Sequence, residues 1–302
     1  MIEIQSIGIQ LGSIKINNKN LENKFKFKKN QIIEKTGIKT RYISSTKETT
    51  EILALKAIKK ILNKKDINTF SHIISVTNTP SILFPSLSHF IHSKLNFPLG
   101  VNCIGINSGC SGYVDALYLA YNLIKKNKKI IIITSDTYSK FINKNDRSTI
   151  PLFSDGASAT IIKYSKKGLK LSKTYFSTSN KSLYDLYGKF KNNKNIEISM
   201  NGPNVLSFAI FDVLPSVKKI INNKQKITFF CHQAGKIVFK EIKNNLSKKI
   251  IIPENFFYYG NLVSTSIPNL IYRNWKYYRS KGFFLFSGFG VGLSQSHLLF
   301  KR

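Results

Sequence analysis

Acidic residues are scarce in this 302-residue chain: 15 Asp and Glu stand against 47 Lys and Arg, a formal net charge of +32. Such a surplus suits nucleic acid, an anionic membrane or an acidic partner protein. The lysines, however, form neither a tail nor a single block. They are scattered with Asn and Ile through stretches such as residues 17–30, 59–66 and 125–129, the pattern of a solvated lysine-rich surface. No helix-turn-helix spacing, zinc knuckle or aromatic RNA-binding signature accompanies them, so specific nucleic-acid binding is not expected. Cysteine is also sparse. Cys103, Cys110 and Cys231 are odd in number and have no CxxC spacing, which excludes a disulfide framework or a cysteine zinc site. This usage is cytosolic and leaves room for a single nucleophilic cysteine. Long apolar runs are missing. Residues 130–133 and 283–286 are far too short to span a bilayer, and the first ten residues show no charged segment followed by an apolar core. A soluble, cytoplasmic protein without a membrane span is expected.

An apolar fraction of 42% provides a large core, and the length fits two intimately packed halves. Short β-branched runs alternate with longer helical stretches. Strands are expected at residues 71–77, 101–106, 130–135, 157–164, 226–231, 283–286 and 293–300. Helices are expected at residues 50–63, 86–94, 111–126, 203–222, 234–246 and 265–279. In the third of these, Val114, Leu117, Tyr118, Tyr121 and Ile124 recur at helical spacing. Residues 177–195 read as a polar loop. The alternation indicates an α/β sheet with helices packed against it. A division into two halves, if present, falls near residue 165.

Four segments carry candidate chemistry. The first is I-G-I-N-S-G-C-S-G-Y, in which an apolar strand ends and a helix begins just after Cys110. Unpaired N–H groups and the helix dipole there would stabilise a thiolate. Gly109 and Gly112 would permit unusual backbone angles and close approach of a substrate. A buried structural cysteine in a Gly/Ser-rich turn fits the same residues. The second segment, F-F-C-H-Q-A-G, sets His232 at the carboxyl end of a strand, where α/β chemistry is usually found. The third, Y-G-N-L-V-S-T-S-I-P, contains Asn261 just before a helix, and a turn or cap residue reads the same way. The fourth, F-S-G-F-G-V-G, is a Gly-rich turn able to aim an N–H at a developing oxyanion.

Taken in order, these segments resemble the β-ketoacyl-acyl-carrier-protein synthase III family, a branch of the thiolase superfamily. T-G-I-K-T-R-Y at residues 36–42, F-P-S at 84–86, N-S-G-C-S-G-Y at 107–113 and F-S-D-G-A-S-A at 153–159 look like family motifs. M-N-G at 200–202, H-Q-A at 232–234, Y-G-N with S-I-P, and G-F-G-V-G complete a collinear set covering nearly the whole chain. The resemblance implies a thiolase fold of two pseudo-repeated halves, residues 1–165 carrying the cysteine and residues 166–302 carrying the histidine and asparagine, in a five-layered α-β-α-β-α arrangement. It implies an acyl-accepting Cys110, with His232 and Asn261 binding the thioester carbonyl of the second substrate and N–H groups of Cys110 and Val291 forming an oxyanion hole. It also implies a homodimer in which Phe84 approaches the partner's acyl pocket. No cofactor is implied, because the substrates are themselves CoA or phosphopantetheine thioesters.

The implied reaction is acyl transfer to Cys110 from an acyl-CoA or acyl-carrier donor, then decarboxylative condensation with malonyl-acyl-carrier protein. The alternative is an acyltransferase that passes the acyl group to an amine, hydroxyl or other carbon nucleophile without decarboxylation. Gln31 and Lys35 replace the aromatic residue and Arg that grip the nucleotide in CoA-using members, so the donor is either not CoA or CoA held differently. Gly235 and Val291 depart from the family's common Asn and Gly. Lys236, Lys240 and Lys243 fall on one helix face and offer docking for an acidic acyl carrier protein, or simply a solvated face. His89 and His92 have i, i+3 spacing but no evident third ligand, and no metal site is expected.

Overall fold

A computed structural model describes residues 1–191, 195–221 and 226–302. Its strands are β1 (Ile2–Leu11), β2 (Ile14–Asn17), β3 (Thr40–Ile43), β4 (Phe70–Val76), β5 (Asn102–Ile106), β6 (Lys129–Asp136) and β7 (Gly156–Tyr164). They continue with β8 (Lys170–Thr178), β9 (Leu186–Lys191), β10 (Asn195–Met200), β11 (Ile227–Cys231), β12 (Phe283–Gly290) and β13 (Ser294–Lys301). Two sheets dominate. One has the order β1-β7-β6-β4-β5 and the other β11-β12-β13-β8, with Ile251 bridging to Thr228 beyond β11. In the first, β6, β4 and β5 are parallel to one another, β7 is antiparallel to β6, and β1 is antiparallel to β7. The second repeats this pattern: β11 is parallel to β12, β13 is antiparallel to β12, and β8 is antiparallel to β13.

The layers follow from which faces are apolar. Strand β6, K-I-I-I-I-T-S-D, is buried on both faces, as a central strand covered on both sides must be. Ile131 and Ile133 face an outer core with the Thr50–Lys59 and Leu87–Lys94 helices, while Ile130 and Ile132 face inward. Strand β12 alternates similarly: Phe284 and Phe286 point to the middle, Leu285 and Phe289 to the opposite outer core. The Gly112–Leu123 and Ser266–Arg273 helices occupy the middle and touch both sheets. The Gly202–Phe208, Leu214–Ile220 and Lys236–Asn245 helices cover the far face. The result is the α-β-α-β-α arrangement of the thiolase fold. No helix among the described residues is long and apolar enough to cross a membrane.

All seven expected strands form. Six further ones do too, and the stretch expected as a polar loop contains one of them: β9 pairs with β10 in an antiparallel hairpin, with residues 192–194 outside the described set. The expected 203–222 helix divides into two α-helical parts joined by a π-helical segment at Ala209–Val213, and Asn222 lies outside the described residues. The expected 265–279 helix breaks at Asn274. In Gly112–Leu123, Tyr113, Ala116 and Ala120 are fully buried beside Val114 and Leu117, whereas Tyr118 is exposed and packs its ring, tilted by 58°, against Phe176. A helix between two sheets is buried nearly all round, so a single apolar stripe describes it poorly.

Candidate active site

Three chain segments far apart in sequence meet at a cavity of about 230 Å³, lined by Cys110, His232 and Asn261 with Phe153, Phe289 and Leu186 among its apolar walls. Strand β5 delivers the Gly109–Ser111 turn, which leads directly into the Gly112–Leu123 helix. Gly109 has φ 51°, a left-handed conformation suited to glycine. Gly112, by contrast, has ordinary helical angles with φ −60°; what it provides is space, since a Cβ there would lie 2.3 Å from Val76. Gly290, at φ 153°, passes so close to Cys110 that an added Cβ would stand 3.0 Å from Sγ. Within the G-F-G-V-G turn it is Gly290 that lies against the sulfur, while Gly288 lies against the backbone of Cys110 and Ser111.

The resting thiol departs from the expected thiolate. Burial pushes the Cys110 thiol up to about 12, and the Asp136 charge adds to this. The N–H groups of Val291 and of Cys110 itself act in the opposite direction by bonding the sulfur. A helix N-terminus lowers a thiol only where that gain exceeds desolvation, and here desolvation by burial is the larger effect. The same two N–H groups are those expected in the oxyanion hole.

His232 follows β11, with its N–H donating to the Ser287 carbonyl at 2.9 Å and its ring set edge-to-face against Phe289 at 5.5 Å. Burial lowers its pKa to about 3, so the imidazole is neutral at physiological pH. Its Nδ1 is buried without a hydrogen-bond partner among the described residues. Asn261 is bound through its backbone: its N–H donates to Leu152 O at 2.9 Å and its carbonyl accepts from Ser154 N–H at 2.8 Å. Its side-chain Oδ1 accepts the Val263 N–H at 2.9 Å, so the acceptor end is occupied and the NH₂ group remains as a donor.

Of the other expected residues Lys236 reaches this cavity, whereas Phe84, Lys240 and Lys243 do not line it. Phe84 is 85% exposed on the single chain. Lys236, Lys240 and Lys243 lie along the exposed face of one helix; Lys236 lines the cavity with Lys35, while Lys243 pairs with Glu254 at 2.7 Å. His89 Nδ1 meets Ser86 Oγ at 2.8 Å, and His92 Nε2 meets the Pro98 carbonyl at 3.0 Å. Among the described residues no group of three His, Cys, Asp or Glu could hold a metal ion.

Two features escaped the sequence reading. Asp136 is fully buried and is raised to about 6 by burial, against hydrogen bonds led by Ser264 and including Asn78 N–H at 2.9 Å. Its position at the end of β6, the carboxyl edge of the sheet, was the available signal. The second is an additional cavity of about 400 Å³, bounded by Asn78, Tyr138, Leu83 and Phe190. Leu186 lines both cavities.

Comparison with known proteins agrees with this architecture. The family profile described as 3-Oxoacyl-[acyl-carrier-protein (ACP)] synthase III matches residues 104–180. A β-ketoacyl-[acyl-carrier-protein] synthase III of Streptococcus pneumoniae is 30% identical over 261 residues, covering 80% of this chain and 79% of that one. The crystal structure of 3-oxoacyl-[acyl-carrier-protein] synthase III from Aquifex aeolicus superposes with a TM-score of 0.86 at 25% identity, covering all of both chains. That of a 3-oxoacyl-(acyl-carrier protein) synthase from Burkholderia xenovorans reaches 0.89 at 24% identity, covering 99% of this chain and 93% of the other. The sequence relationship extends well beyond the nucleophile segment, and the chain belongs to the β-ketoacyl-acyl-carrier-protein synthase III family of condensing enzymes.

Proposed function

We propose that the chain accepts an acyl group on Cys110 from a CoA or carrier thioester and condenses it with malonyl-acyl-carrier protein. The observation that carries this reading is the convergence of Cys110, His232 and Asn261 on one largely apolar cavity. In the first half-reaction the thiol proton passes to neutral His232 as sulfur attacks the thioester carbonyl, and the departing thiolate takes that proton. The N–H groups of Cys110 and Val291 stabilise the oxyanion formed in between, each contributing about 3–4 kcal/mol. In the second, malonyl thioester loses CO₂. The resulting enolate oxygen is held by donors from His232 and the Asn261 amide, and its carbon attacks the Cys110 thioester and expels the Cys110 sulfur as a thiolate, which takes up one proton from solvent to restore the thiol. No carboxylate base is required, because decarboxylation itself generates the carbanion.

Several further assignments belong to the same proposal. Residues 1–165 and 166–302 form its two halves, and the protein works in the cytoplasm as a homodimer. The exposed Phe84, and β5 at the edge of its sheet, are the surfaces offered to a second copy. Acyl carrier protein docks on the face bearing Lys236 and Lys240, with Lys243 sharing its charge with Glu254. The test is intact-protein mass after incubation with acyl-CoAs and acyl-carrier proteins, for wild type and Cys110→Ala, followed by a malonyl-carrier chase. An adduct absent from Cys110→Ala and cleared with CO₂ release is expected. No adduct from any donor would overturn the reading, and clearance only by another acceptor would replace condensation with simple acyl transfer.

A further inference from the structure

One carboxylate outside the cavity is tied to both walls of the candidate site. Asp115 lies in the first turn of the Gly112–Leu123 helix. Its Oδ2 accepts from Ser111 Oγ at 3.3 Å, and its Oδ1 accepts from Ser296 Oγ in a short hydrogen bond. The Ser108 hydroxyl adds a contact to the same group. Ser108 and Ser111 bracket Cys110 in the nucleophile turn, and Ser296 stands on β13, just past the turn that contains Val291. From Ser111 the connections continue: its Oγ meets Ser294 Oγ at 3.3 Å, and Ser294 Oγ donates to the Val291 carbonyl at 2.7 Å. Burial raises the Asp115 carboxyl from its ordinary value and the serine hydroxyls lower it, so they bond the ionised form.

We infer that Asp115 is a positioning residue that holds the Cys110 turn and the Val291 turn in register, so that both N–H donors face the same point beside the sulfur. An oxyanion hole requires this: two donors on different segments must be fixed before the charge forms, because reorganisation during reaction forfeits most of their benefit. Ser111 Oγ, with the turn carbonyl Ser108 O also 3.1 Å away, has competing partners; it reaches β13 both through this carboxylate, by way of Ser296, and through Ser294 Oγ. This inference rests on the proposed role of Cys110.

The test compares wild type, Asp115→Ala, Asp115→Asn and Ser296→Ala by two readouts. One is amide hydrogen exchange in peptides covering residues 108–112 and 291–294. The other is the rate of acyl-adduct formation at Cys110 by intact mass, using straight-chain acyl-CoAs from acetyl to palmitoyl. In Asp115→Ala, exchange should rise about tenfold in both turns with the rest of the chain unchanged. Adduct formation should slow about tenfold while the half-saturating donor concentration stays within about twofold. Asp115→Asn, which keeps the shape without the charge, should fall between. Wild-type protection in either turn, a general rise in exchange, or acylation within about twofold of wild type would overturn the inference. If Asp115→Ala does not fold, Asp115→Asn and Ser296→Ala make the same comparison. If wild type takes no acyl group, it is the reading of Cys110 that fails, and the exchange experiment alone decides whether Asp115 couples the two turns.

Discussion

Asn261 Oδ1 accepts the Val263 N–H at 2.9 Å, so the side-chain amide can turn only its donor end toward a ligand. A donor in that place serves an enolate oxygen. Asn261→Asp would put an acceptor-only carboxylate in its place, with no N–H to give. Acylation of Cys110 should persist, while condensation with malonyl-carrier falls about 100-fold or more. Single-turnover assays of each half-reaction check this; equal loss in both would mean that Asn261 supports the cavity rather than the second step.

The sulfur should titrate late. With burial first and Asp136 second, the Cys110 thiol is raised to about 12. Alkylation by neutral iodoacetamide, read by mass, should therefore climb about tenfold per pH unit from neutral pH to about pH 10 without levelling. Asp136→Asn removes the second cause and should accelerate alkylation at pH 8 by about threefold or more. A plateau near pH 8.5 in wild type would contradict the buried, unactivated thiol.

Acid should weaken the fold through two neutral imidazoles. Unfolded histidine takes a proton near 6.5, whereas buried His232 and His297 are lowered to about 3. The unfolded state thus binds more protons between these values, and stability falls as pH drops through that window; above it neither group contributes. Asp136 works with the opposite sign, because its folded value of about 6 lies above the ordinary 3.8 and its ionisation costs stability as pH rises. His297, bonded through Nε2 to Gln295 and stacked on Tyr175, can be isolated with His297→Gln. The stability of wild type relative to this variant should fall by about 1.4 kcal/mol per pH unit between pH 6 and 4, measured by urea unfolding.

Leu186 is buried between the two cavities, and shortening it should join them. Leu186→Ala should shift acyl-donor preference at Cys110 toward longer chains, at a stability cost of about 2–5 kcal/mol. A competition among acyl-CoAs of graded length measures this. An unchanged length profile in a folded variant would mean that the second cavity does not receive the acyl chain.

Much of the architecture is visible in local patterns. The Ile-rich run of β6, the turn entering a helix at Cys110 and the strand ending at His232 each follow from a few adjacent residues. Strand β8 is hidden because it is an edge strand with most residues exposed, so its alternation carries little apolar contrast. The β9–β10 hairpin is hidden for a related reason: it lies in a polar Lys/Asn-rich stretch, and what identifies it is pairing with a neighbour rather than composition.

Local sequence thus determined the α/β alternation, the order of the motifs and the three candidate residues, since strand ends, glycine turns and helix starts depend on near neighbours. Tertiary structure decided the protonation of Cys110 and His232, the orientation of the Asn261 amide, the role of Leu186 between two cavities and the reach of Asp115 to Ser296 across 181 positions. Desolvation and hydrogen bonding at these positions are sums over groups brought together from the whole chain, and no short stretch of sequence contains that sum.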